Sequence, residues 1–366
     1  MSSEKNYENI VFEEGYYREP IVNIFENYMN DESSRKVCPE CIITVSMPDK
    51  EKNYFEEAEN IDGLLKEHWS KTMNCFRNFS KQTAMQSVVV EKEGFTKETD
   101  EEILVSYGIA PYLSRWSPYH GALYTVVLAF AKLIASGADY HDIQLDFEQY
   151  YDIANAECEK HIQITEIDQV GDGKQLSALL GAYEAKAGFD FANMENEELA
   201  QIGNELLKEC FGDESAKPDF RAVAMGKAKK EHLLTTNFKR PDNKIVRFCI
   251  PYDKYDRPIY KDALKTYKKF YKMVKNGYIQ SAYAVGIGGT MEALAKMSYK
   301  NNYGVRIDED IRLEQLSQKA YGAIVAEIKP RDIRHIEIPC MFLGEVIEEP
   351  IMEYQNEVIE LDELFE

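Results

Sequence analysis

The sequence has no uninterrupted apolar run approaching the roughly 20 residues that a membrane-crossing helix needs. Its start, MSSEKNYENIVFEEG, lacks the basic-then-apolar pattern of a secretory leader. A cytoplasmic protein with no membrane contact is the expectation. Basic residues are scarce: 43 Lys and Arg face 64 Asp and Glu, a formal net charge of −21. That field repels phosphate polyanions over most of the surface, so nucleic acid is not an expected partner, and solubility alone accounts for the charge. A repeated cysteine spacing is missing too. The seven cysteines are odd in number and scattered, which argues for free thiols and against a disulfide frame. Cys38 and Cys41 form one C-x-x-C, the spacing of half a zinc site or of a redox pair. No second pair and no C-x-x-H follows at finger spacing, so no metal site is expected. Cys75, Cys158, Cys210, Cys249 and Cys340 fit buried small apolar positions.

Neither a P-loop Gly-Lys-Ser/Thr nor a six-residue dinucleotide fingerprint marks the chain's main glycine turn. What is present is GYIQSAYAVGIGGTMEALAKMSYKNNYGVRI, Gly277 to Ile307. Ile279 to Val285 is uncharged and suits a buried strand. Gly286, Gly288 and Gly289 break it, and Thr290 is placed to cap a helix carrying Met291, Leu294, Ala295 and Met297 on one face. Strand, glycine loop and helix together aim backbone N–H groups and a positive dipole end at a phosphate. The signal alone is weak, and a tight turn between packed elements is the preferred reading of the same residues.

In chain order, residues 9–46 read as β-rich (NIVF, EPIVNIF, CIITVSM), 51–72 as acidic and helix-prone, and MQSVVVE and ILVSYGI as strands. Pro118 restricts Ser117, and from Tyr119 the residues Leu123, Val126, Val127, Phe130, Leu133 and Ile134 line a core helix closed by Gly137. Only His120 and Lys132 bring polar chemistry to it. A lone histidine at a helix start caps or fills more often than it catalyses, though its proton chemistry suits neutral pH. DIQLDFEQYYDIA reads as helical or extended, and KQLSALLGAYEAKAGF as a second helix. Acidic residues 193–218 then read as a boundary between domains. Strands FRAVAMG and IVRFCIPY follow. A helix from Pro258 to Asn276 carries Lys261, Lys265, Lys268, Lys272 and Lys275 on its solvated face, and the strand YGAIVAEI comes after it. From Glu345 onward there are nine acidic residues and no basic one, with apolar residues between them that argue for a docked tail. The fold class is α/β (α+β). The expected division is a β-rich extension (1–39), an N-terminal domain (40–190), an acidic linker (191–217), a C-terminal α/β domain (218–330) and the docked tail (331–366).

The segments PYLSRWSPYHGALYTVVLAFAKLIASGADY, LGAYEAKAGF and IQSAYAVGIGGTMEALAKM, followed by YGVRI and YGAIVAEI, occur in an order and spacing that resembles the second half of large-form phosphoribosylformylglycinamidine synthase. That enzyme belongs to the aminoimidazole-ribonucleotide-synthetase superfamily and converts an amide to an amidine in purine biosynthesis, using ATP, magnesium and glutamine. The resemblance implies a two-domain half of that fold, with an N-terminal barrel-forming domain, a C-terminal α/β domain and a nucleotide between them. It also implies apolar barrel strands left open for a sister half, hence a homodimer or a heteromer with a synthetase-half protein. Tentative phosphate or nucleotide contacts are Gly286, Gly288, Gly289, Thr290, Ser117, His120 and Lys132; no catalytic residue and no metal ligand is assigned. The family's glutaminase domain has no counterpart here, and Asp190–Pro218 replaces its phosphate loop. Its magnesium-contacting Glu falls on Leu128, an Asp on Arg77, and a turn carboxylate on Val285 or Gly286. Magnesium wants oxygen ligands, so the isolated chain is expected to bind ATP or ADP with magnesium weakly or not at all. The expected function is a non-catalytic or partner-dependent relative, a pseudoenzyme. The alternatives are an active subunit of a split ATP-dependent amidine-forming ligase and a module that binds a phosphorylated small molecule.

Overall fold

The computed structural model describes residues 9–31, 42–50, 85–90, 100–149, 162–163, 173–211, 220–317 and 320–365. Cys38, Cys41, Cys75, Arg77, Cys158 and the stretch 51–72 lie outside the described residues.

Strand β1 (Ile10–Phe12) pairs in parallel with β2 (Ile43–Val45). A six-stranded sheet runs β3 (Ser87–Val90), β4 (Glu101–Ile109), β8 (Phe220–Lys229), β5 (Gln144–Gln149), β6 (Ile162–Gln163), with β7 (Ala192–Asn193) beside β5. Side chains alternate across β4 as strand geometry demands. Ser106 donates to the Ala129 carbonyl at 2.7 Å, within helix α3 (Pro118–Ala135). Val105, Tyr107 and Ile109 point the other way, onto Leu199, Leu206 and Leu207 of helix α5 (Glu197–Phe211). A seven-stranded sheet follows in the order β10 (Ile279–Ala284), β12 (Ile324–Ile328), β9 (Lys244–Phe248), β13 (Cys340–Ile347), β11 (Gly304–Ile307), β14 (Ile351–Tyr354), β15 (Glu357–Glu360). Its pairs are antiparallel except β11 with β14.

Helix α3 joins the two sheets. It packs on β4, β8 and β10 and on helices α4 (Gly173–Phe189) and α6 (Tyr260–Lys275), and one apolar core runs through all of them. It is long and apolar enough to cross a membrane by length and composition, contrary to the sequence reading, and 94% of it lies buried inside the fold. On the far side of the second sheet, α7 (Gly289–Tyr299), α8 (Leu313–Ser317) and α9 (Leu361–Phe365) close a second core. Deep in that sheet, Glu327 of β12 is fully buried and accepts from four donors. These are the backbone N–H groups of Lys239 (2.8 Å) and Arg240 (3.0 Å), the Asn243 amide (2.7 Å) and the Ser281 hydroxyl (2.7 Å).

Several expectations are corrected. EPIVNIF lies in helix α1 (Arg18–Asn30), not a strand. Its buried Ile21, Phe25, Tyr28 and Met29 fall at i, i+4, i+7 and i+8, which is a helix face. FRAVAMG, read as opening the second domain, is β8 and pairs along its length with β4 of the first sheet. The acidic stretch read as a linker supplies β7 and α5, and α5 covers the apolar face of β4 and β8 that was expected to stay open. The approach is close: a Cβ on Gly203 would sit 2.2 Å from a Val223 methyl. Cys249 is exposed, because β9 ends at Phe248 and the chain leaves the sheet there, and Cys340, the first residue of β13, is half-exposed. Residues 331–360 supply three strands of the second sheet, and helix α2 (Pro111–Trp116) leads into α3.

Candidate functional site

At the glycine turn, β10 ends and α7 begins, as the sequence implies, but the cap differs. Gly288, not Thr290, is the N-cap, and only Gly289 of the three glycines has a left-handed backbone, with φ +68°. The turn is filled by the chain's own carboxylate. Glu292, one helical turn on, accepts the Gly288 N–H at 2.7 Å, pairs with the Lys296 ammonium at 2.9 Å and lies 3.3 Å from the Tyr283 hydroxyl. A Cβ on Gly288 would be 2.6 Å from Glu292 Cβ, so glycine at this position is what lets the carboxylate fold back. Burial pushes the Glu292 carboxyl up. Lys296, the Gly288 N–H and Lys132 more than offset that and hold it below the usual carboxylate range. Lys132 is buried, with its ammonium 3.2 Å from the centroid of the Tyr107 ring. Thr290 accepts from the buried Arg247 guanidinium at 2.7 Å, and the same nitrogen donates to the Gln315 carbonyl at 2.8 Å.

The space left between Leu128, Lys132, Gly286 and Glu292 is about 20 Å³. That holds one water molecule. The Gly288 N–H that a phosphate would use at this turn is bonded to Glu292, and Leu128 faces Gly286 with a methyl 3.8 Å from where a Cβ on that glycine would be. Among the described residues, no group of three or more His, Cys, Asp or Glu side chains is placed to hold a metal ion.

Ser117 and His120 are elsewhere. They sit at the other end of α3, and at 1.5 Å per residue His120 is roughly 12 Å along the axis from Leu128. Ser117 caps the helix by accepting the His120 N–H at 3.3 Å. The His120 Nε2 lies 2.9 Å from the Tyr255 carbonyl, which can only accept, so that nitrogen carries the proton and Nδ1 accepts from the Ser117 hydroxyl at 2.7 Å. The atoms are those of a nucleophile–base pair, but Ser117 is 1% exposed and nothing can reach it. Burial drives the His120 pKa down to about 4. The Tyr255 carbonyl opposes that, Arg257 adds to it and Asp253 opposes it. The pair pins helix α3 to the Asp253–Arg257 turn.

Two buried charge clusters escaped the sequence reading. Glu292–Lys296 carried an i, i+4 signal that was not used. Glu184 of α4 meets Arg257 at 3.4 Å, while Arg257 also forks onto Asp253 at 2.8 and 3.0 Å. Burial pushes the Glu184 carboxyl up to about 7, with Arg257 opposing and Asp253 adding. No local signal links residues 73 positions apart.

No family model matches the sequence, and no curated protein matches it. Solved structures do. The chain is similar to T. maritima PurL complexed with ATP, at 18% identity over 81% of this chain and 49% of that one, with a TM-score of 0.53. T. maritima PurL complexed with AMPPCP matches 94% of this chain and 54% of that one at 18% identity and TM-score 0.52. Phosphoribosylformylglycinamidine synthase II from Thermotoga maritima matches at 17% identity, 82% and 49% coverage and TM-score 0.52. The chain spans about half the length of these proteins. At such identities the likeness is one of fold, and the chain has the aminoimidazole-ribonucleotide-synthetase-like fold, a mixed α/β architecture with no closed barrel among the described residues.

Proposed function

We propose that this chain is a non-catalytic relative of the synthetase half, a pseudoenzyme that does not turn over ATP. The carrying observation is the glycine turn, where Glu292 takes the place an incoming phosphate would need and leaves room for a single water. A triphosphate would have to break a buried ion pair to enter, at a cost of several kcal/mol that its own contacts must first offset. Calorimetry of the full chain with ATP and with ADP, each with and without magnesium, is the test. Binding no tighter than millimolar is expected. Micromolar, metal-dependent binding would overturn the reading and restore the split amidine-forming ligase of purine biosynthesis.

Pairing with a second synthetase half, as homodimer or heteromer, is held in check by α5 in this reading. Lifting that helix bares Val105, Tyr107, Val223 and Met225, an apolar patch that invites association. Gly203→Leu cannot fit against Val223. Light scattering at micromolar concentration is expected to show a larger dimer fraction for the variant than for the wild type. Equal, monomeric behaviour of both would count against pairing through this face.

A further inference from the structure

A cavity of about 260 Å³ lies at the opposite end of β10 from the glycine turn, where the end of α6 meets residues 335–337. Its walls include Lys269, Lys272, Asn276, Tyr278, His335 and Glu337. Local sequence builds it. Asn-Gly-Tyr ends α6: the Gly277 N–H bonds the Val274 carbonyl at 2.9 Å, the Tyr278 N–H bonds the Met273 carbonyl at 3.1 Å, and Gly277 has φ +69°. That reversal turns Tyr278 onto His335, and the two rings stack with centroids 4.4 Å apart and planes 7° from parallel. The lysines here differ from the rest of the α6 stripe. Lys265 pairs with Asp262, and Lys268 and Lys275 lie over the Tyr140 and Tyr271 rings, so their places are explained by the fold. Lys269 and Lys272 instead converge on one residue at the cavity, Glu337, through its carbonyl at 2.8 Å and its carboxylate at 3.4 Å. The Lys272–Glu337 pair is loose and exposed at both ends, 63% and 59%, a kind of pair that holds little and yields readily to a competing anion.

We propose that this cavity binds a small planar anion, a flat ring bearing one phosphate or carboxylate. The ring packs on the Tyr278–His335 stack and the anion replaces Glu337 at Lys272 and Lys269. The volume suits a mononucleotide or a substituted benzoate and is too small for a dinucleotide. The site is separate from the glycine turn and does not depend on the reading given for it. Two sources share the chemistry, and the probes separate them: AMP, 4-hydroxybenzoate and, lacking a ring, inorganic phosphate, each titrated into the full chain in EDTA by calorimetry. Saturable one-to-one binding of AMP or of 4-hydroxybenzoate is expected, roughly tenfold or more tighter than phosphate. Lys272→Met and His335→Ala should each weaken it by about tenfold, and Lys265→Met should leave it unchanged. The proposal is overturned if no ringed probe saturates at millimolar concentration, if phosphate binds as well as both ringed probes, or if Lys272→Met binds like the wild type.

Discussion

Glu327→Ala is expected to unfold or nearly unfold the second sheet, lowering stability by about 4 kcal/mol or more. The carboxylate has no exposed surface and satisfies two backbone N–H groups, an amide and a hydroxyl, all from the 239–243 loop and the neighbouring strand. Each donor left buried without a partner costs about 1–3 kcal/mol, and water admitted to the hole recovers only part of the sum. Glu327→Gln is the sharper variant. It keeps the volume but turns one acceptor oxygen into a donor facing other donors, so it should also lose about 2 kcal/mol or more. Urea titration followed by circular dichroism measures both. A loss below about 1 kcal/mol for the alanine variant would mean that the loop holds without its carboxylate.

The second large effect is a pair of opposed pH dependences. Glu184 titrates near 7 in the fold against 4.5 unfolded, so the folded state holds its proton more tightly. Its contribution is fully present below pH 4.5 and is lost as pH rises to about 7. His120 titrates near 4 against 6.5, so its contribution is present above pH 6.5 and is lost as pH falls to about 4. Each shift corresponds to about 3 kcal/mol. Over the shared window the two slopes nearly cancel, and the wild type should look flat with respect to them. Substitution separates them. Relative to wild type, Glu184→Gln should gain about 3 kcal/mol as pH is raised from 4.5 to 7, and His120→Asn should gain a similar amount as pH is lowered from 6.5 to 4. Denaturation of the three proteins across pH 4–8 gives the differences directly. Parallel curves would show that neither group's surroundings move its titration. Both groups grip the Asp253–Arg257 turn, His120 from α3 and Glu184 from α4.

Much of the architecture was legible without coordinates. The short apolar runs SVVV and ILVSYGI, the 3.6-residue period of α3, α4, α6 and α7, and the glycine break after Val285 are local patterns. They arise from which faces of an element can shed water, so the sequence by itself determined those elements and the resemblance that ordered them. Where local rules competed, it misled. EPIVNIF is rich in β-branched residues yet carries a helical face, and burial of that face decided. Thr290 is a better cap by propensity than Gly288, but its hydroxyl is taken by Arg247 across the sheet. Pairing was beyond reach for a different reason: a backbone ladder is made of groups every residue shares, so FRAVAMG has no mark saying that β4 is its neighbour. The same holds for charge. Only tertiary structure brought Glu184 to Arg257, Glu327 to the 239–243 loop and α5 onto the open face, because each satisfies a demand, for a counter-ion, a hydrogen bond or cover from water, that exists only once the chain has closed around it.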